Sequence, residues 1–244
     1  MMNTLRETTT SLPMPLTTGL AIFDLDDTLL DGDATGLWTD WQIQQGWIKD
    51  GDEYRAIWTR QMEDYMAGNL DMEDHLEHLL SPLIGRNVAA VTAEVEYFIE
   101  AELIPRLFSE GLERIAWHQA QGHQVVIISA STAQLVAPLA KRLGVDAALA
   151  TALEIDKDCY TGQATGIRTF RDGKLDALKA WQAEQLPAQT DMRMQPCWGY
   201  SDSRNDLPLL EFVDHPYAVR PDPCLAAIAH ERDWQTLHWQ SRAR

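Results

Sequence analysis

Five carboxylates fall into two short clusters, Asp24, Asp26 and Asp27 in one and Asp202 and Asp206 in the other. Carboxylates packed this closely raise one another's pKa unless a cation neutralises them. A hard divalent cation is the natural remedy. Mg2+ suits two separate clusters, because it takes one or two protein carboxylates and completes its octahedron with water and substrate phosphate oxygens. Taken alone, Asp-Leu-Asp-Asp-Thr at 24–28 reads equally well as a solvated turn that caps the next helix. Its weight comes from conjunction: it is followed, in order, by Ser129 after an apolar run, Lys174 at a helix start, and Ser-Asp-Ser-Arg-Asn-Asp at 201–206.

The elements that must position these residues can be read from the apolar pattern. Leu20 to Phe23 stops abruptly at Asp24, which predicts a buried strand opening into a polar loop. A second strand is expected over Gln124 to Ser129, a short one near Ala147 to Thr151, and a hairpin or flap within Ala152 to Gly166. Asp172 to Gln185 is predicted helical. Cys197 to Tyr200 is a further strand, another lies within Phe212 to Val219, and a terminal helix is expected near Pro223 to Glu231. This alternation implies an α/β fold with a Rossmann-like parallel sheet, whose ligands bind at the carboxyl ends of the strands. The polar clusters all fall at those ends.

From Asp31 to Arg106 the pattern changes to apolar spacings of three and four with no convincing strand. We read this block as an all-helical cap inserted after the first strand, with 20–30 and 107–244 as the core domain and 1–19 as a flexible leader. The block holds 16 acidic and five basic residues, so most of the formal charge of -17 resides there. That charge repels a phosphate backbone, which argues against nucleic acid and anionic membrane as partners. No apolar run reaches the length of a bilayer span. Three cysteines without a CxxC pair give no disulfide framework and no zinc site, so a cytoplasmic location is expected.

The ordered motifs resemble those of the haloacid dehalogenase (HAD) superfamily, in particular its phosphoserine-phosphatase-like branch (subfamily IB), which carries a helical cap after the first motif. The resemblance spans Asp24 to Asp206. It implies a Mg2+-dependent phosphatase in which Asp24 attacks phosphorus and Asp26 handles the protons, first as acid and then as base. It further implies phosphate contacts from Thr28, Ser129, Ala130, Lys174 and Asn205, and a metal site built from Asp24, the backbone carbonyl of Asp26, and Asp202. Asp206 is a further candidate ligand, or alternatively orients water or Lys174. Ser129 has a competing reading as a helix cap, although Ser131 and Thr132 can fill that role. Lys157 and Lys179 are the rivals of Lys174. Ser201 and Ser203 depart from the commoner GDGxND form of the last motif.

Asp33 matches by its offset the acidic residue that holds a substrate ammonium in phosphoserine phosphatases, and a plain N-cap is the competing role. No Arg aligns with the one those enzymes use for a substrate carboxylate. Trp38, with Trp41 and Trp47, offers an aromatic wall for the substrate, or else packs against a neighbouring helix. His75 and His78 read as an exposed helix face. FDLDDTLL, the Trp-rich start of the cap and GYSDSRNDLPLL are similar to histidinol-phosphatase-like members, which makes L-histidinol phosphate the lead small phosphorylated metabolite, ahead of phosphoserine. A broad-range phosphatase, phosphoryl transfer to an alcohol and a noncatalytic receiver module are the alternatives. The cap and the second carboxylate cluster disfavour a receiver, which is much shorter.

Overall fold

A computed structural model describes residues 19–67, 69–185 and 196–241, so the leader read at 1–19 lies outside the described residues except for Gly19. Strand β1 (Leu20–Phe23) is buried at all four positions. It pairs in parallel with β2 (Gln124–Thr132) on one side and β5 (Cys197–Ser201) on the other. A strand covered on both faces must be apolar throughout, which is why LAIF carries no polar side chain.

Around β1 the sheet has seven strands in the order β4-β3-β2-β1-β5-β6-β7, adding β3 (Ala147–Asp156), β4 (Cys159–Thr165), β6 (His215–Val219) and β7 (Gln235–Leu237). Every neighbouring pair is parallel except β3 and β4. The short strand expected near 147–151 therefore runs on to Asp156, and the flap is the antiparallel hairpin it makes with β4. The turn of that hairpin puts Lys157 and Asp158 at positive φ, 47° and 63°.

Between β1 and α5 (Ser109–Ala120) the chain forms α1 (Ala34–Gln44), α2 (Gly51–Ala67), α3 (Met72–Leu80) and α4 (Val88–Phe98). Asp33, Asp71 and Asn87 start α1, α3 and α4, and each side chain accepts two backbone N–H groups of the first turn. Such a cap is worth about 1 kcal/mol. The remaining helices, α6 (Ala133–Leu143), α7 (Asp172–Gln185), α8 (Leu207–Phe212) and α9 (Pro223–Glu231), alternate with the strands. Among the described residues no helix is long and apolar enough to cross a membrane.

Alternate residues of β1 enter two hydrophobic clusters, as a period of two requires. Leu20 and Ile22 join Val126, Ile128, Leu178 and Leu209 on one face. Ala21 and Phe23 join a larger cluster that continues through Leu30 into the inserted helices, taking in Trp38, Leu80, Val95 and Phe98. The insert and the sheet thus share one apolar interior.

This packing decides between the two roles considered for Trp38 and corrects the exposed-face reading of His75. Trp38 is 1% exposed, and its ring meets Trp47 at 5.6 Å and Phe98 at 5.1 Å. It is a core residue and does not form a substrate wall, because helical spacing puts it on the buried face of α1 with Thr35, Thr39 and Gln42. His75 is likewise buried, one helical turn before Leu79, with Nδ1 3.0 Å from Gln61 Oε1. His78 stacks on Tyr54 with centroids 3.9 Å apart.

Candidate active site

The site forms where β1, β2 and β5 end side by side. The Asp24 N–H donates to the Tyr200 carbonyl at 2.9 Å, so the parallel pairing with β5 continues one residue past the strand and fixes the backbone of Asp24. The Asp24 side chain is buried, and its Oδ1 accepts from Lys174 Nζ at 2.6 Å. Lys174 also donates to Asp206 Oδ2 at 2.7 Å, and the same oxygen accepts from Ser201 Oγ at 2.7 Å. Lys174 reaches this point because α7 begins very close to the preceding loop: a Cβ on Gly173 would collide with the Arg168 carbonyl oxygen.

Thr28 braces the opposite side. Its hydroxyl lies 3.3 Å from Asp24 Oδ2 and 3.0 Å from Asp202 Oδ1, and it accepts from the Asp202 N–H at 2.9 Å. One hydroxyl carries one proton, so it can satisfy only one of the two carboxylates at a time. Thr28 therefore holds the acidic cluster together instead of standing ready for phosphate.

Asp26 faces away from that cluster. Its Oδ1 accepts from the Ala34 N–H at 2.7 Å, and its Oδ2 from the hydroxyls of Ser129 and Ser131, both at 2.9 Å. Ser129 is fully buried and turned toward Asp26, while Ala130 next to it is partly exposed at the strand end. Ser131, read from the sequence only as a helix cap, bonds the same Asp26 oxygen as Ser129 and so lies on the same side of β2. A period of two would have paired them.

The Asp33 carboxylate is the N-cap of α1, accepting from the N–H groups of Thr35 at 3.0 Å and Gly36 at 3.1 Å. Burial, and then the nearby charge of Asp26, push its pKa up to about 7, against the pull of the two N–H donors. Asn205 Oδ1 accepts from Arg171 Nε at 3.1 Å, and the Tyr65 ring of α2 lies 5.4 Å from that of Phe170, next to Arg171. Neither Arg171 nor Tyr65 carries a local sequence signal.

The electrostatics explain what the site lacks. Three carboxylates, Asp24, Asp202 and Asp206, influence one another, and one ammonium bonds only two of them, Asp24 and Asp206. Burial raises the Asp24 carboxyl to about 7; Lys174 opposes this, while Asp206 and Asp26 add to it. Asp202 is raised well above the ordinary range by burial and by the charges of Asp24 and Asp206. Burial alone would favour neutral Lys174, but Asp206 and Asp24 outweigh it and hold the ammonium charged.

A divalent cation between Asp24 and Asp202 would remove this shortfall, and their all-oxygen chemistry suits Mg2+. Asp206 Oδ2 is engaged by Lys174 and Ser201, which fits the alternative role of orienting Lys174. Among the described residues no group of three or more His, Cys, Asp or Glu forms a metal cage. That is compatible with Mg2+, which rarely occupies all-protein cages.

Residues 21–211 match the family described as haloacid dehalogenase-like hydrolase. This chain belongs to that family. It is 32% identical over 222 residues to the histidinol-phosphatase of Neisseria meningitidis, covering 91% of this chain and 99% of that protein. It is 28% identical over 227 residues to phosphoserine phosphatase SerB1 of Mycobacterium tuberculosis, covering 89% of this chain and 70% of that one. A crystal structure of a protein with unknown function from Bordetella pertussis superposes with a TM-score of 0.84 at 33% identity, covering 91% of this chain and 99% of that chain. The mixed α/β architecture is the HAD fold, and the chain is an enzyme of the hydrolase class with phosphatases among its relatives.

Proposed function

We propose that this HAD hydrolase is a Mg2+-dependent phosphomonoesterase working through an aspartyl phosphate on Asp24, with residues 31–106 as its cap. The observation that carries this reading is the pair of carboxylates at the end of β1. Asp24 is aligned by Lys174 on one oxygen, and Asp26 is held two residues on by three donors. The side chains of Asp24 and Asp202, with the backbone carbonyl of Asp26, would hold Mg2+, which when bound neutralises charge on the phosphoryl oxygens.

In the first step an Asp24 carboxylate oxygen bonds to phosphorus as the P–O bond to the alcohol breaks, and Asp26 gives the departing oxygen its proton. In the second, Asp26 takes a proton from water, whose oxygen displaces Asp24 and releases inorganic phosphate. The Ala34 N–H and the hydroxyls of Ser129 and Ser131 orient the Asp26 carboxyl for both steps. In the first step Ser129 turns from Asp26 to a phosphate oxygen, which lets Asp26 carry its proton. The Lys174 ammonium stabilises the charge that builds on the transferring group.

For the substrate we propose a small amine-bearing phosphomonoester, L-histidinol phosphate first and phosphoserine second, met in the cytoplasm. Support comes from the near full-length similarity to the Neisseria histidinol-phosphatase and from Asp33, a carboxyl with no cationic partner among its hydrogen bonds, beside Asp26. The test is Mg2+-dependent phosphate release from a panel of histidinol phosphate, phosphoserine, other amine phosphates and sugar phosphates. It is run with and without acceptor alcohols, and with Asp24→Asn as the control. The expected result is preference for histidinol phosphate, release of free phosphate, and at least about a thousandfold loss in Asp24→Asn. Unchanged activity in that variant refutes the mechanism. Acceptor phosphorylation faster than phosphate release makes the enzyme a transferase.

A further inference from the structure

A chain of buried hydroxyls runs from the inserted helices to Asp26. Thr35, in the first turn of α1, has its Oγ1 2.8 Å from Ser131 Oγ, and Ser131 Oγ lies 2.9 Å from Asp26 Oδ2. Thr35 and Ser131 are both buried. Proton count fixes the direction of the chain. A carboxylate only accepts, so Ser131 gives its one proton to Asp26 and meets Thr35 with a lone pair. Thr35 therefore donates to Ser131, and Ser131 to Asp26. The same turn of α1 reaches Asp26 a second time, through the Ala34 N–H, which donates to Oδ1 at 2.7 Å. Residues 34 and 35 thus hold both oxygens of one carboxyl, one directly and one through Ser131.

The two serines on Oδ2 are not equivalent. Ser129 Oγ accepts the Ser131 N–H at 3.0 Å, which fixes the oxygen while leaving its proton able to turn from Asp26 to a phosphate oxygen. Ser131 is committed on both sides, by its proton to Asp26 and by its lone pair to Thr35. Once the Ser129 proton has turned, Ser131 is the hydroxyl that still holds Oδ2. Alignment matters at this point, because a displacement of about 1 Å at a reacting group can cost about a hundredfold in rate.

We propose that Ser131, backed by Thr35 of the insert, is a positioning residue that keeps Asp26 aimed at the departing oxygen after Ser129 has turned to the phosphoryl group. This deepens the phosphomonoesterase reading and rests on it. The pair adds no step to the chemistry. Asp24 still bonds phosphorus, the P–O bond still breaks with its electron pair on the alcohol oxygen, and the proton that oxygen receives still comes from Asp26. The aim of that proton then depends on α1 keeping its place against β2.

The need for the proton supplies the readout. An alkoxide leaves poorly unless it is protonated, whereas p-nitrophenolate departs without help. Ser131→Ala and Thr35→Val each remove one hydroxyl, the second at nearly constant volume. Alcohol release in a single turnover with Mg2+ is followed for an alkyl phosphate and for p-nitrophenyl phosphate, and orthophosphate affinity is measured by calorimetry. A positioned general acid contributes about 10²–10⁴-fold, so release from the alkyl phosphate should slow by about tenfold or more in Ser131→Ala and by a smaller factor in Thr35→Val, with p-nitrophenol release and orthophosphate affinity nearly unchanged. The double variant should be no slower than Ser131→Ala, since Thr35 acts through Ser131. Equal slowing of both substrates overturns the proposal, because a damaged fold or a lost phosphate contact does not distinguish leaving groups. Unchanged alkyl release in Ser131→Ala overturns it too, as does a double variant whose loss is the product of the two single losses. If Ser131→Ala does not fold, the contrast between the two substrates in Thr35→Val decides. If the unaltered protein releases neither alcohol, the phosphomonoesterase reading itself falls, and this inference with it.

Discussion

Lys174 Nζ stands 2.6 Å from Asp24 Oδ1, joining a helix start to a strand end that are 150 residues apart in sequence. The same ammonium bonds Asp206 at 2.7 Å, so one cation answers two buried carboxylates. Removing it leaves both without a counter-charge.

The Lys174→Met variant, which keeps the aliphatic stem, is expected to lose about 3–5 kcal/mol of stability, the usual cost of orphaning one side of a buried ion pair. Urea unfolding at pH 7 measures this. Adding Asp206→Asn to the same chain should return part of the loss, because one of the stranded charges is then gone; a double variant no more stable than Lys174→Met would contradict this account.

Divalent cation should stabilise the folded chain. Asp24 and Asp202 flank one hydroxyl and repel each other, and a ligand present at about 100 times its dissociation constant adds about 2.7 kcal/mol. Thermal melts with Mg2+ and with a chelator should therefore differ. In Asp202→Asn the difference should shrink or vanish, while the melting point without metal rises, since a buried charge has been removed.

Asp33→Asn separates the two roles of that residue. Asn is as good an N-cap as Asp, so α1 should keep its start and the melting temperature should hardly move. Only the charge is lost. KM should rise several-fold for amine-bearing phosphates and stay level for sugar phosphates if Asp33 holds an ammonium, and equal changes for both classes would assign it to capping alone.

His118 makes stability sensitive to acid. It is fully buried, its Nε2 is 2.9 Å from the Tyr200 hydroxyl and its Nδ1 2.8 Å from His123 Nδ1. Burial, then His123 and Arg114, lower its pKa to about 3. The unfolded chain takes up a proton near pH 6.5 that the folded chain refuses, so this contribution is complete above that pH and is lost as pH falls toward 3. Burial raises Asp24 and Asp33 to about 7, so they act in the opposite sense, losing stability as pH climbs from about 4 to 7 and masking the histidine in the wild type. The comparison that isolates it is wild type against His118→Gln at pH 7.5 and pH 5. The advantage of the wild type should narrow by about 2 kcal/mol at the lower pH.

Much of the site is legible in the sequence because its parts sit at boundaries that local patterning marks. Asp24 follows the last residue of an all-apolar strand, Asp202 follows β5, and Lys174 opens α7 after a glycine that the Arg168 carbonyl leaves no room to replace. The alternation of strand and helix was readable for the same reason. Orientation was not. Whether Asp206 turns to a metal or to Lys174 depends on where α7 lies against β5, and whether Trp38 lines a pocket or a core depends on which helix covers α1. Tyr65 is 105 residues from Phe170, and only the path of α2 past the loop before α7 brings their rings within 5.4 Å. Ser201 in place of glycine was visible as a departure; its use, bonding Asp206, needed coordinates.

The central place of β1 also sets a timetable. Leu20 is paired with Gln124 and Cys197, so neither neighbour of the first strand exists until more than a hundred further residues have left the ribosome. At about 5–20 residues per second that is a wait of several seconds or longer. During it, four consecutive apolar residues have no sheet to enter, and only the intervening helices, which form from local contacts, are available to shield them. The segment that ends in Asp24 leaves the ribosome before β2 and long before β5, so that aspartate waits for both of its flanking strands.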